Sequence, residues 1–277
     1  MKARALLLAC LTLTLAACGG GGGASNPSEA LSQTAQKLGD IKSGKLKLRL
    51  IVDPREEGGD FGFELSGPFE LAQQDKLPIA DIQYTQIADD ERETVTVIST
   101  GEAAFITVDG TAYELPPEQA DRLRTAGADL GGGGGQGLGE LRIDDWIRNP
   151  ESSGGDEIGG DSTDKIEADL DLVAALNDLM TLAGRFTGGR QPIEGEEAQM
   201  LRESVQDARL EVLTGKNDRL LRRLRITAKF DPQLPEELEE LAQAAGATVE
   251  FELEIADPNQ PVEVEAPEDP RPYSELD

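Results

Sequence analysis

Period-two alternation of apolar and polar residues recurs along this chain, and it leaves few folds open. Lys45-Leu46-Lys47-Leu48-Arg49-Leu50-Ile51-Val52 places Leu46, Leu48 and Leu50 on one face and three cations on the other. Phe61, Phe63 and Leu65 repeat the pattern, Ala80, Ile82 and Tyr84 follow it more loosely, and Glu93 to Ser99 is rich in Thr, Val and Ile. Towards the end, Leu220, Leu224, Ile226, Ala228 and Phe230 oppose Arg223, Arg225, Thr227 and Lys229. Val249, Phe251, Leu253 and Ile255 oppose Glu250, Glu252 and Glu254. If these last two strands pair, cations meet carboxylates on the solvent side. One-sided strands of this kind build an antiparallel sheet with one wet face, and the other face needs a cover.

Helices are available to supply it. Asn26-Pro27-Ser28-Glu29 has an N-cap Asn, Pro at the first helical position and an early acid, with Leu31, Ala35 and Leu38 on one face and Gly39 closing. Helices are also expected over Pro117 to Thr125, over Leu172 to Met180 behind an Asp171 cap, near Glu196 to Gln206 and over Pro235 to Ala245. A short helical piece from Arg142 to Arg148 would carry the only Trp, Trp146. Asp109-Gly110 supplies two positive-φ positions for a type I′ turn. It pairs Val108 with Thr111, Ile106 with Tyr113 and Ala104 with Leu115. Lys165 to Leu170 reads as a strand, and Gly215-Lys216-Asn217-Asp218 as a hairpin turn between Ala208–Leu213 and Arg219–Phe230. Pro258 to Asp277 should be extended, and Gly131 to Gly135 is a low-complexity linker.

Charge and residue usage exclude whole classes of function. The 277 residues hold 54 Asp and Glu against 26 Lys and Arg, a formal net charge of −28. Phosphate backbones would repel such a surface, so nucleic acid is not expected as a partner. Histidine is absent, which removes Ser-His and Cys-His nucleophile pairs and His-ligated metals. The remaining motifs dissolve on inspection. A Gly-x-Gly-x-x-Gly match within Gly131 to Gly137 is poly-glycine with no strand feeding it. Ser162-Thr163-Asp164-Lys165 lacks its companion motifs, and Asp156, Asp161 and Asp164 lack the ladder of a calcium loop. No catalytic residue, metal site or cofactor is expected, although no glycosidase-like carboxylate pair is ruled out by sequence.

The first residues read as an address. Lys2 and Arg4 precede an apolar run from Ala5 to Ala17, too short to span a bilayer at roughly 20 residues. It has the form of a signal peptide over residues 1–17. Leu15-Ala16-Ala17-Cys18 resembles the lipobox of bacterial lipoproteins, in which the residue equivalent to Cys18 is diacylated and becomes the mature N-terminus. Two acyl chains would hold Cys18 at the membrane stably. Residues 18–26, rich in glycine, would tether a single domain over residues 27–277. Cys10 would leave with the leader, so no disulfide is expected.

Beyond the lipobox, four stretches resemble the actinobacterial LppX/LprAFG lipoproteins, whose half-barrel is similar to the lipoprotein carrier LolA. They are the opening helix running into Lys45–Val52, the hairpin from Ala104 to Tyr113, Trp146 to Leu179, and the closing strands. The resemblance implies an α+β fold: a strongly curved antiparallel sheet, or half-barrel, with helices packed on its concave face. It also implies a non-enzymatic protein at the outer face of the cell membrane that binds a lipid or lipoglycan between sheet and helices, with a possible envelope transport partner. Leu48, Leu50, Phe63, Ile106, Tyr113, Val173, Leu176, Ile226 and Phe251 are the residues expected to face inward. Two rivals stand beside this reading. One is a structural or adhesive envelope lipoprotein with a filled core and an acidic interaction surface; the other is a hydrolase with two converging acids.

Overall fold

A computed structural model describes residues 26–54, 59–72, 76–131, 141–187, 192–231 and 246–276. The leader over residues 1–17, Cys18, tether residues 19–25, Gly132 to Gly135 and the helix expected over Pro235 to Ala245 lie outside them.

Twelve strands form one sheet. They are β1 (Ser43–Asp53), β2 (Phe61–Glu70), β3 (Ile79–Ala88), β4 (Glu91–Thr100), β5 (Ala104–Val108), β6 (Thr111–Glu114), β7 (Ile147–Gly154), β8 (Thr163–Leu170), β9 (Val205–Gly215), β10 (Leu221–Phe230), β11 (Thr248–Ala256) and β12 (Arg271–Pro272). The spatial order is β12-β6-β5-β4-β3-β2-β1-β11-β10-β9-β8-β7, so the sheet is open rather than closed. Every pairing is antiparallel except β12 with β6, which is parallel. Four helices accompany it: α1 (Pro27–Gln36), α2 (Pro117–Gly131), α3 (Leu172–Thr187) and α4 (Gly195–Glu203). The fold is α+β, an open antiparallel sheet with helices on its apolar side.

Local chemistry accounts for most boundaries. Asn26 caps α1 by accepting the Ser28 N–H at 3.2 Å, with Pro27 at the first helical position. Asp171 caps α3 by accepting the Ala174 N–H. The β5–β6 turn has Asp109 and Gly110 at φ 48° and 76°, and Val108 faces Thr111 as the type I′ turn requires. In β2, Gly62 and Gly67 lie so near neighbouring strands that a Cβ would sit 1.9 Å from the carbonyl oxygens of Leu50 and Asp81. Only glycine permits that approach.

Four expectations need correction. Residues 143–146 are a turn, not a short helix, and Ile147 already begins β7. Trp146 is withdrawn from helical bonding because its carbonyl accepts the Asp171 N–H at 2.6 Å and its indole N–H reaches Asp178 at 2.9 Å. The helix expected to reach Gln206 stops at Glu203, since Val205 joins the sheet opposite Phe230. Conversely, α2 continues past Thr125 to Gly131, and Gly127 lets it come against Pro78 and Ala72. The extended C-terminal stretch folds back to pair Arg271 with Tyr113 before a single 3₁₀ turn at Tyr273–Glu275.

Candidate functional site

Strand register assembles the apolar residues into rows that cross the sheet. One row runs Val108, Val95, Tyr84, Leu65, Leu48, Leu253, Leu224, Val212 and Ile166, one residue from each of nine adjacent strands. The next carries Phe63, Leu50, Phe251, Ile226 and Leu210. Ile106 and Tyr113 are paired on β5 and β6, beside Val97 of β4. Seven of the nine residues expected to face inward therefore share one face of the sheet. The other two, Val173 and Leu176, belong to α3 and pack with Ala228, Phe230 and Val249.

Cover over this face is unequal. On β8–β11 the side chains of Ile166, Leu210, Val212, Leu224, Ile226 and Ile255 are buried under α1, α3 and Trp146. Asp178 of α3 ties this lid down by accepting from the Trp146 indole and from the Arg142 backbone and guanidinium. Buried Thr34 of α1 donates to Thr214 of β9 at 2.7 Å. On β1–β5 the same rows stay half-exposed at Leu48, Leu50, Phe61, Phe63, Leu65, Ile82, Val95, Val97 and Ile106. Tyr84 is 37% exposed and stacks on Phe63 at a centroid distance of 6.1 Å.

The opposite face is charged and paired on β10 and β11, whereas on β1, β3 and β5 it buries Ile51, Ile87 and Phe105. Arg223 meets Glu254 at 2.7 Å and Arg225 meets Glu252, as the alternation predicts. The hydrogen bond with Glu252 raises the Arg225 pKa above its ordinary value. Arg222, with 2% of its side chain exposed, binds both Asp161 (2.6 Å) and Asp218 (2.8 Å) and locks the β9–β10 turn to the β7–β8 connection. A cavity of about 570 Å³ lies on this side, walled by Glu151, Glu167, Glu211, Arg209 and Arg225 among others. A second, of about 460 Å³, opens where β8 meets α3 and α4 meets β9, and Val173 lines it. Its cations, Arg148 and Arg202, escape sequence reasoning because they sit far apart in the chain on polar stretches; only their shared neighbour Asp171 stands out there, as a helix cap.

Among the described residues no group of three or more acidic or thiol side chains is placed to hold a metal ion, and no helix is long and apolar enough to cross a membrane. No protein-family model and no curated protein matches the chain. Among solved structures it is similar to LprF from Mycobacterium bovis, at 14% identity over 87% of this chain and 96% of that one, with a TM-score of 0.45. It is also similar to the Mycobacterium tuberculosis lipoprotein LppX, at 12% identity over 86% of this chain and 97% of that one, with a TM-score of 0.42. Both names fall within the group that the sequence resembles.

Proposed function

We propose that this chain is a non-enzymatic lipoprotein, anchored through Cys18 at the outer face of the cell membrane, that shelters the acyl part of a lipid or lipoglycan on its apolar sheet face. One observation carries the reading: the apolar rows cross from the helix-covered strands onto β1–β5 and remain half-exposed there. An uncovered patch of this kind, rimmed by polar residues, marks a ligand groove or an interface. Hydrocarbon laid on it would gain about 25 cal/mol per Å² removed from water. Leu48, Leu50, Phe63 and Ile106 would meet the chain directly, while Tyr113, Ile226 and Phe251 would back them. Val173 and Leu176 would form the α3 side of the site. The glycine-rich tether would let the body stand off the membrane, and handing the lipid on would require an envelope partner.

The test uses the chain with Cys18→Ser, expressed in a membrane-containing host. Native mass spectrometry should show an added lipid mass, and Leu65→Asp, at the centre of the open rows, should remove it. A bare protein mass together with no uptake of a fluorescent acyl probe would overturn the reading in favour of an anchored scaffold.

A further inference from the structure

The second cavity combines an apolar wall with two guanidinium groups that share one carboxylate. Its volume of about 460 Å³ falls within the roughly 300–1,000 Å³ of small-molecule sites. Val173 and Leu201 are buried in its wall, and Leu172 and Val205 are half-buried. Arg148 donates to Asp171 at 3.2 Å, and the Arg202 Nε lies 3.7 Å from the other oxygen of the same group. That carboxylate already caps α3. The neighbouring acids are otherwise engaged, since Arg209 bridges Asp169 at 2.6 Å and Asp207 at 3.1 Å. Each guanidinium offers five donors in a fork that matches carboxylate or phosphate. Among the described residues, the side chains of Arg148 and Arg202 pair with Asp171 alone.

The apolar wall of this corner is continuous with one row of the sheet. Ala208, which lines the cavity, pairs in register with Ala228, then Val249, Val52 and Phe61. Ala228 is buried in the cluster that holds Val173, Leu201 and Phe230, so the row is filled beyond Ala208 and a tail would lie on the cavity's own wall.

We propose that this cavity seats the anionic head of an amphiphile, carboxylate or phosphate, on Arg148 and Arg202, with its hydrocarbon tail against the apolar wall of Leu172, Val173, Leu201 and Val205. The proposal rests on the acyl-binding reading above and adds the sign of the head group. In a chain of net charge −28, an anion would be repelled from most of the surface, so the arginine pair would decide where it docks.

The experiment measures displacement of a fluorescent acyl probe from the Cys18→Ser chain by palmitate, hexadecyl phosphate, hexadecanol and inorganic phosphate. The two anionic amphiphiles should displace the probe roughly tenfold more effectively than the alcohol, as expected for charge-assisted hydrogen bonds. Arg148→Gln with Arg202→Gln should erase that advantage and leave the alcohol unaffected. Both side chains are more than half exposed, so the fold should survive, and an unchanged urea midpoint checks this. Arg148→Lys with Arg202→Lys should restore part of the preference. Equal displacement by acid and alcohol, or a preference that persists in the double glutamine variant, would overturn the head-group site while leaving acyl binding intact. Inorganic phosphate acting as well as hexadecyl phosphate would overturn the tail's place on the apolar wall. Failure of every amphiphile would remove this proposal and the acyl-binding reading together.

Discussion

The two halves of the sheet are written in the same alternating code, yet one is a packed core and the other an open face. On β8–β10 most inward residues pack under α1, α3 and Trp146 and are buried, while on β11 Ile255 is buried and Phe251 and Leu253 are half-buried at the margin of the cover. On β1–β5 equally apolar residues are only half-buried, and Tyr84 is exposed. Apolarity alone therefore does not say whether a face is core or binding surface; the element placed over it does. The closed half draws its stability from side-chain packing. In the open half, β2 contributes close backbone contacts at Gly62 and Gly67, where neighbouring strands come nearer than any side chain would allow.

Breaking the lid should have the largest effect. Trp146→Ala removes a side chain 1% exposed and takes one of three hydrogen bonds from Asp178, and it should cost about 3–5 kcal/mol in urea unfolding. Gly67→Ala forces a Cβ onto the Asp81 carbonyl and should cost about 1–3 kcal/mol or more. Leu48→Ala, a half-exposed position in the open rows, should cost only about 1 kcal/mol while weakening capture of an acyl probe. If Leu48→Ala proved as costly as Trp146→Ala, the contrast between the halves would collapse.

The smallest effect is electrostatic and belongs to the closed half. Burial pushes the Asp218 carboxyl up, but hydrogen bonds from Arg222 and the Leu220 N–H outweigh it and hold its pKa below the ordinary value. A depressed carboxylate stabilises the fold above its unfolded pKa of about 4, and that contribution is lost as pH falls through the lower folded value. Asp218→Asn should therefore flatten the acid limb of the stability curve below about pH 4 and leave the neutral limb's shape unchanged. Denaturation midpoints collected between neutral and acid pH would show it.

Much of the fold is legible in the residues. Most strands, though not β7 or β12, the Asp109-Gly110 turn and the Asn26 and Asp171 caps follow from neighbours one to four positions apart, and alternation shows what β10 and β11 present to each other once they pair. Errors arose where a distant partner won. Trp146 forms a turn because α3 takes its indole and Asp171 takes its carbonyl, and α4 ends early because Phe230 recruits Val205 into the sheet. The candidate site divides in the same way. Leu48, Leu50 and Phe63 declare themselves by alternation, whereas Arg148 of β7 and Arg202 of α4 share Asp171 only once β8 and α3 have folded between them.

Periodicity, turn chemistry and charge, all short-range properties, determined from the chain alone that this protein is an acidic, one-sided antiparallel sheet with helices to spare. Which strands those helices cover, and which cations converge on Asp171, was decided only by tertiary structure. Covering one strand rather than another depends on shape and contact between segments far apart in the chain, and no local pattern encodes that choice.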